Sequence, residues 1–172
     1  MRDGKELSGK PLITIDRGQF LGNVKDLYVD PDLAEVVAVF LGREGLLKRK
    51  DRVISREHVM VFGVDAVLVK HADVVAESDA LVDSATWLRL DDLKGREVVT
   101  QGGTRVGQIG DVLLDEQAGI AAFVLARVFV EGPIAENRGI MRAAMLQPGS
   151  DSQPMIVDLS TAETARPGDK PE

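Results

Sequence analysis

The sequence predicts a mainly β protein built from two copies of one small domain, and three observations carry that reading. An internal repeat comes first. Leu7-Ser-Gly9-Lys-Pro-Leu12-Ile13-Thr14, followed by Gly22-Asn-Val24-Lys-Asp26-Leu27-Tyr28-Val29-Asp30, returns as Leu93-Lys-Gly95-Arg-Glu-Val98-Val99-Thr100, followed by Gly107-Gln-Ile109-Gly-Asp111-Val112-Leu113-Leu114-Asp115. A single recurrence at this spacing marks two domains, because a solenoid repeats every few tens of residues. The second observation is a series of short β-branched, alternating segments punctuated by Gly, Pro and Asp. Size is the third: 172 residues, 44% hydrophobic, suffice for two small cores.

Taken in order, strands are expected over residues 12–15, 23–29, 36–41, 53–54 and 66–69. The second copy repeats them over 97–100, 108–114, 120–130 and 155–159. Short helical pieces are expected over 56–60, 84–90 and 142–147. Charge with Pro167 and Gly168 makes 161–172 a frayed tail. The domains are therefore 1–72 for repeat one, 73–92 for an acidic packed connector, 93–160 for repeat two and 161–172 for the tail.

Sterics add one detail to the repeated strand. In a regular strand Val24, Asp26, Tyr28 and Asp30 share one face while Leu27 and Val29 share the other, so the apolar side switches at Asp26. Ile109, Asp111, Val112 and Leu114 show the same switch. A β-bulge or barrel corner at each Asp restores a continuous inner face, and a short carboxylate there accepts local backbone N–H bonds. Gly22, Asp26 and Asp30, with Gly107, Asp111 and Asp115, are therefore read as structural turn and bulge residues. Asp30-Pro31-Asp32 and Asp115-Glu116-Gln117 are turn chemistry.

The residues of both copies resemble the PRC-barrel family, whose line is a Leu-x-Gly opening, a hydrophobic strand, a Gly-rich turn, Gly-x-(Val/Ile)-x-Asp followed by three apolar residues and Asp, then another hydrophobic strand. In the first copy the resemblance continues through Val53-Ile54-Ser55-Arg56-Glu57-His58-Val59-Met60 and Asp65-Ala66-Val67-Leu68-Val69. After Leu125 the second copy departs from it, because Gly149 to Pro154 interrupts the link between Met145-Leu146 and Met155-Ile156-Val157. The resemblance implies two small PRC-type β-barrels in tandem with short helical connectors. It also implies docking surfaces for partners, as in the barrel of the cytoplasmic reaction-centre subunit and that of a ribosome maturation factor, and carries over no catalytic residue.

Composition narrows the chemistry. Without cysteine there is neither a disulfide framework nor a thiolate metal site. His58 and His71 have no partner at zinc-ligand spacing, Ser8, Ser55 and Ser84 lack a nucleophile elbow, and Gly102-Gly103 lacks the Lys-Ser/Thr and helix of a phosphate loop. No catalytic, metal or cofactor-binding residue is assigned, and no cofactor is expected. Met1 to Glu6 lacks the apolar core of a signal peptide, and no apolar run reaches the roughly 18 residues that span a bilayer. A cytoplasmic location is expected, with any membrane contact made from the surface, peripheral at the inner membrane face.

The net charge of −7 is concentrated in the connector, where residues 73–92 carry one basic and six acidic side chains. Its apolar residues are too many for a free linker, so it is expected to pack along the barrels, with Trp87 anchored in their junction. Either a solvated acidic face or a cation or basic-partner site fits those carboxylates.

The candidate partner-binding surface is the segment from Arg43 to Arg52, expected to be a loop, where Leu46 and Leu47 meet Lys48, Arg49, Lys50 and Arg52. Its counterpart, Glu131 to Arg138, is not basic, and function often lies where such symmetry breaks. Protein, anionic lipid or RNA phosphate all suit these charges, and so does a solvated tip that blunts a strand edge. A pI of about 4.9 with one Trp, one Tyr and five Phe argues against direct nucleic-acid binding. The expected function is a non-enzymatic adaptor or assembly scaffold for protein partners, in a photosynthetic or other electron-transfer complex. A ribosome-assembly accessory and a small-ligand or cation-binding module are the alternatives. The continuous apolar runs 36–41 and 120–130 suit strands covered on both sides, and from these barrel packing or a homodimer is expected.

Overall fold

A computed structural model describes residues 1–164. In chain order its strands are β1 (Arg2–Asp3), β2 (Pro11–Thr14), β3 (Phe20–Asn23), β4 (Asp26–Val29), β5 (Val36–Glu44), β6 (Lys50–Ser55), β7 (Val59–Phe62), β8 (Val67–Val69), β9 (Val75–Glu77), β10 (Leu88–Arg89), β11 (Glu97–Thr100), β12 (Arg105–Leu114), β13 (Ile120–Val128), β14 (Gly139–Met141), β15 (Met145–Gln147) and β16 (Met155–Val157). Three short helices are α1 (Leu90–Leu93), α2 (Pro133–Asn137) and α3 (Leu159–Thr164). The protein is mainly β, at 46% strand.

Two compact units organise the chain. The first module holds Gly4–Pro31 and Glu35–Arg89, and the second holds Met1–Asp3, Asp32–Ala34 and the chain from Leu90 onward. Each unit thus includes residues from beyond its own repeat. In the first module β10 pairs antiparallel with β4, whereas in the second β1 occupies the corresponding edge of β12.

Within the first module, one sheet runs β10-β4-β5-β6-β9 and another β3-β2-β8-β7. Alternation decides which side chains form the core. Leu12 and Thr14 of β2 and Val67 and Val69 of β8 point inward and are buried, whereas Ile13 and Leu68 between them face outward. Only Val24 and Lys25 separate β3 from β4, yet the two strands lie in different sheets. The chain turns there at Gly22, whose φ of +127° suits glycine, and at Asp26, which accepts the N–H of Leu27 at 2.8 Å.

The connector completes this module. β9 adds to the edge of β6, and Leu81 and Trp87 pack on Tyr28, Ala38, Phe40 and Val53, with the Trp87 ring centroid 5.9 Å from that of Tyr28. Trp87, expected at the junction of the repeats, packs on the first module's own sheet. That layer supplies a second cover for β5, which accounts for its unbroken apolar run.

In the second module β12 runs unbroken through the region where the first module divides it into β3 and β4. Its register shifts around Ile109 and Asp111, and a Cβ at the intervening Gly110 would lie 2.8 Å from that of Ala126. The sheet order is β14-β13-β12-β11-β16-β15, with β1 on β12. β15 and β16 form an antiparallel hairpin and β16 lies parallel to β11, the same arrangement as β7, β8 and β2. Residues 149–154 therefore lengthen a turn without changing how the sheet closes.

Helical expectations over 56–60, 84–90 and 142–147 shrink to single 3-10 turns at Arg56–His58, Ser84–Thr86 and Arg142–Ala144, each followed directly by extended backbone. The last strand ends at Val157 rather than 159, because Asp158 caps α3 and accepts the Thr161 N–H at 2.8 Å. Thr161 to Thr164 complete that helix, and the rest of the expected tail lies outside the described residues. Among the described residues no helix is long and apolar enough to cross a membrane.

Candidate partner-binding hairpin

β5 and β6 stay paired well beyond the core, through Gly42↔Arg52, Arg43↔Asp51 and Glu44↔Lys50. The segment expected as a loop is therefore mostly a two-stranded ribbon, with only Gly45 to Arg49 left to turn. Alternating charge makes this extension feasible, because each cross-strand neighbour neutralises the next. Gly45 is required at the bend: its φ is +114°, and a Cβ there would meet the Lys48 carbonyl oxygen at 2.3 Å.

The ribbon base is fixed by one buried hydroxyl and several ion pairs. Tyr28 Oη donates to Asp51 Oδ2 at 2.7 Å, and Arg43 Nε donates to Asp51 Oδ1 at 2.7 Å. Burial pushes the Tyr28 phenol far above its usual range, and the hydrogen bond to Asp51 adds to that shift. Burial also works against the Asp51 carboxylate, but the bonds from Tyr28 and Arg43 outweigh it and hold its pKa below the ordinary value. Arg52 donates to Glu44 at 2.7 Å, while Lys50 pairs with Glu77 and lies 3.5 Å from Asp79. The hydrogen bond to Glu77, then the charge of Asp79, raise the Lys50 pKa.

The six candidate residues consequently divide in two. Lys50 and Arg52 are committed to carboxylates of their own module. Leu46 and Leu47 are fully exposed, and Lys48 and Arg49 beside them have no ion pair among the described residues. What the sequence reading missed was the set of neutralising acids, Glu44, Asp51 and Glu77. The first two could have been found from opposite charges spaced symmetrically about Gly45 to Arg49, but Glu77 is brought in only by the pairing of β9 with β6.

At the repeated acids, Asp26 pairs with Arg89 Nε at 3.1 Å, and Asp111 accepts the Val112 N–H at 2.8 Å. Asp30 accepts from the Glu35 N–H, and Asp115 from the N–H groups of Gln117 and Gly119, each at 2.8 Å. At Gly107 a Cβ would meet the Arg127 carbonyl at 2.3 Å. Among the described residues no group of three or more His, Asp or Glu side chains is placed to hold a metal ion. His58 and His71 each lie near one acid, Glu57 at 3.6 Å and Asp73 at 3.5 Å.

One further feature belongs to the second module. A cavity of about 430 Å³ lies between β11 and the loop 149–154, with the Arg96 side chain almost wholly buried at its wall. Arg96 Nη1 donates to the Pro148 carbonyl at 3.0 Å, and burial lowers its pKa against the opposing pull of Asp151. Lys10, at the same place in the first repeat, donates to the Gly63 carbonyl at 3.3 Å. In both modules, then, a cation after the Leu-x-Gly opening ties down the turn of the closing hairpin.

Two repeats of one small β module make up the chain, and the first extends into a hairpin with an apolar and cationic tip. The chain belongs to the PRC-barrel domain family, whose model matches residues 1–78 and 87–136, once for each repeat. Domains of this family are protein-interaction and assembly modules and are generally non-catalytic. No curated protein matches the chain.

Proposed function

We propose that this protein is a non-enzymatic adaptor or assembly scaffold that docks on a protein partner through the tip of the β5–β6 hairpin. The observation that supports this reading is the meeting, at one turn, of two fully exposed leucines with two cations that have no ion pair among the described residues. Covering a leucine is worth about 1.5–3 kcal/mol, so a partner with an apolar slot gains from both. An acidic rim on that slot would pair with Lys48 and Arg49 and speed encounter. The fixed base at Asp51 lowers the ordering cost of binding. We place the protein in the cytoplasm, peripheral to the inner membrane face, in a photosynthetic or other electron-transfer complex.

Cell fractionation with a tagged chain tests this. Membrane recovery lost at high salt, with a defined complex identified by mass spectrometry and released by Leu46→Ser/Leu47→Ser or Lys48→Glu/Arg49→Glu, is the expected result. Recovery with small-subunit precursors instead moves the reading to ribosome assembly. A partner retained in full by both tip variants overturns the role given to the hairpin.

A further inference from the structure

The four-stranded sheet of the first module carries, on its outer face, a line of apolar side chains that crosses every strand. Its ladders set Val61 of β7 opposite Leu68 of β8, Leu68 beside Ile13 of β2, and Ile13 opposite Phe20 of β3. Paired residues point to the same side of a sheet. The neighbouring inward row is buried, but Phe20 is 61% and Val61 46% exposed. A sheet face open to water ordinarily carries polar residues.

The second repeat treats the same positions differently. There the row reads Gln147, Ile156, Val99 and Arg105, so both ends are polar. Arg105 is paired with Glu97 at 3.0 Å and lies over the Phe129 ring at 4.4 Å. The long turn 149–154 stands beside this face and lines a cavity together with Val99 and Arg105. In the first module the equivalent turn is only Gly63 to Ala66, where the Gly63 N–H donates to the Ala66 carbonyl at 2.9 Å. The fold accepts both patterns, so folding does not account for the bare apolar row.

We infer that this face of the first module packs against the same face of a second copy of the chain. Apolar sheet faces stack about 10 Å apart with their rows interdigitated. Charge complementarity favours a second copy as the occupant. β8 is flanked by Asp65 at its start and Lys70 at its end, both exposed and without an ion pair among the described residues. A two-fold axis lying across the strands brings each Asp65 over the other copy's Lys70, twice by symmetry. The row between them is uncharged, which lets two chains of net charge −7 approach there. Four strands about 4.8 Å apart, three or four residues long, offer about 240 Å² per copy. Stable interfaces bury about 800 Å² per partner, so the dimer is weak and concentration-dependent.

Sedimentation velocity on the full chain from about 1 to about 500 μM tests the inference. Phe20→Arg/Val61→Gln installs the residues that the second repeat carries at those positions, so the module is expected to fold. The wild type should show a concentration-dependent dimer, and this variant should weaken it by about tenfold or more with thermal unfolding unchanged. Asp65→Lys should also weaken it, and Asp65→Lys/Lys70→Asp should restore it. A wild-type monomer across the whole range, or a dimer indifferent to these changes, overturns the inference. Leu46→Ser/Leu47→Ser should leave the dimer intact, which keeps this test separate from the hairpin reading.

Discussion

Arg89 and Asp26, 63 residues apart in the chain, are joined by a 3.1 Å charge-assisted hydrogen bond whose carboxylate is only 6% exposed. Arg89 also lies 4.6 Å over the Phe40 ring, so one side chain ties the end of the connector to two strands of the first module's core sheet. Replacing Arg89 by Met leaves the Asp26 carboxylate buried without this cation. Arg89 keeps 30% exposure, so water softens the loss. Chemical denaturation should show a cost of about 2 kcal/mol, below the 3–5 kcal/mol of a fully buried pair.

Tyr28 is the only tyrosine of the chain, so its ionisation can be followed without interference. Its folded pKa is raised above the unfolded value, first by burial and then by the bond to Asp51. The resulting stability is fully present below the unfolded pKa, about 10, and is lost as pH rises above it. Tyrosinate absorbance should therefore appear together with alkaline unfolding. Ionisation near pH 10 in a chain that circular dichroism shows still folded contradicts the buried Tyr28–Asp51 bond.

Acid acts with the opposite sign. Asp51, Glu97 and Asp158 all have folded pKa values below their ordinary ones, so their contributions exist above the unfolded carboxylate pKa and fade as pH falls through the folded values. Stability measured by denaturant should begin to drop below about pH 4. Tyr28→Phe removes the leading influence that lowers the Asp51 pKa and should make the acid loss shallower, while costing about 1 kcal/mol at neutral pH.

Leu33 is fully buried in the second module although it stands in the sequence of the first repeat. Its carbonyl accepts from Arg142 Nε at 2.7 Å, and the Ala34 carbonyl accepts from the Ile120 N–H at 2.7 Å. Leu33→Ala should cost about 3 kcal/mol through the cavity it leaves. Calorimetry should assign that loss to the second module.

A fragment beginning at Leu90 lacks both β1 and the Asp32–Ala34 segment. It should give poorly dispersed amide resonances and no cooperative thermal transition, although it contains the whole second repeat. A sharp transition equal to that of the second module in the intact chain would show those segments to be dispensable.

The repeat, the turn acids and the β class were legible because each depends on neighbours within a few residues. Period-two alternation selects the inward side chains of β2 and β8, and Asp30 and Asp115 bond to N–H groups only two to five positions away. The candidate leucines and cations at the hairpin tip were visible for the same reason. Sequence could not separate Lys48 and Arg49 from Lys50 and Arg52, because the acids that neutralise the latter two arrive through strand pairing, Glu77 of β9 from 27 residues beyond Lys50. Nor could it show that Trp87 packs on Tyr28, or that Met1–Asp3 and Asp32–Ala34 belong to the second module. Those are outcomes of long-range burial: a short apolar segment goes wherever an unfilled edge or pocket remains. Local pattern decided what each segment is, and tertiary packing decided which neighbours it serves.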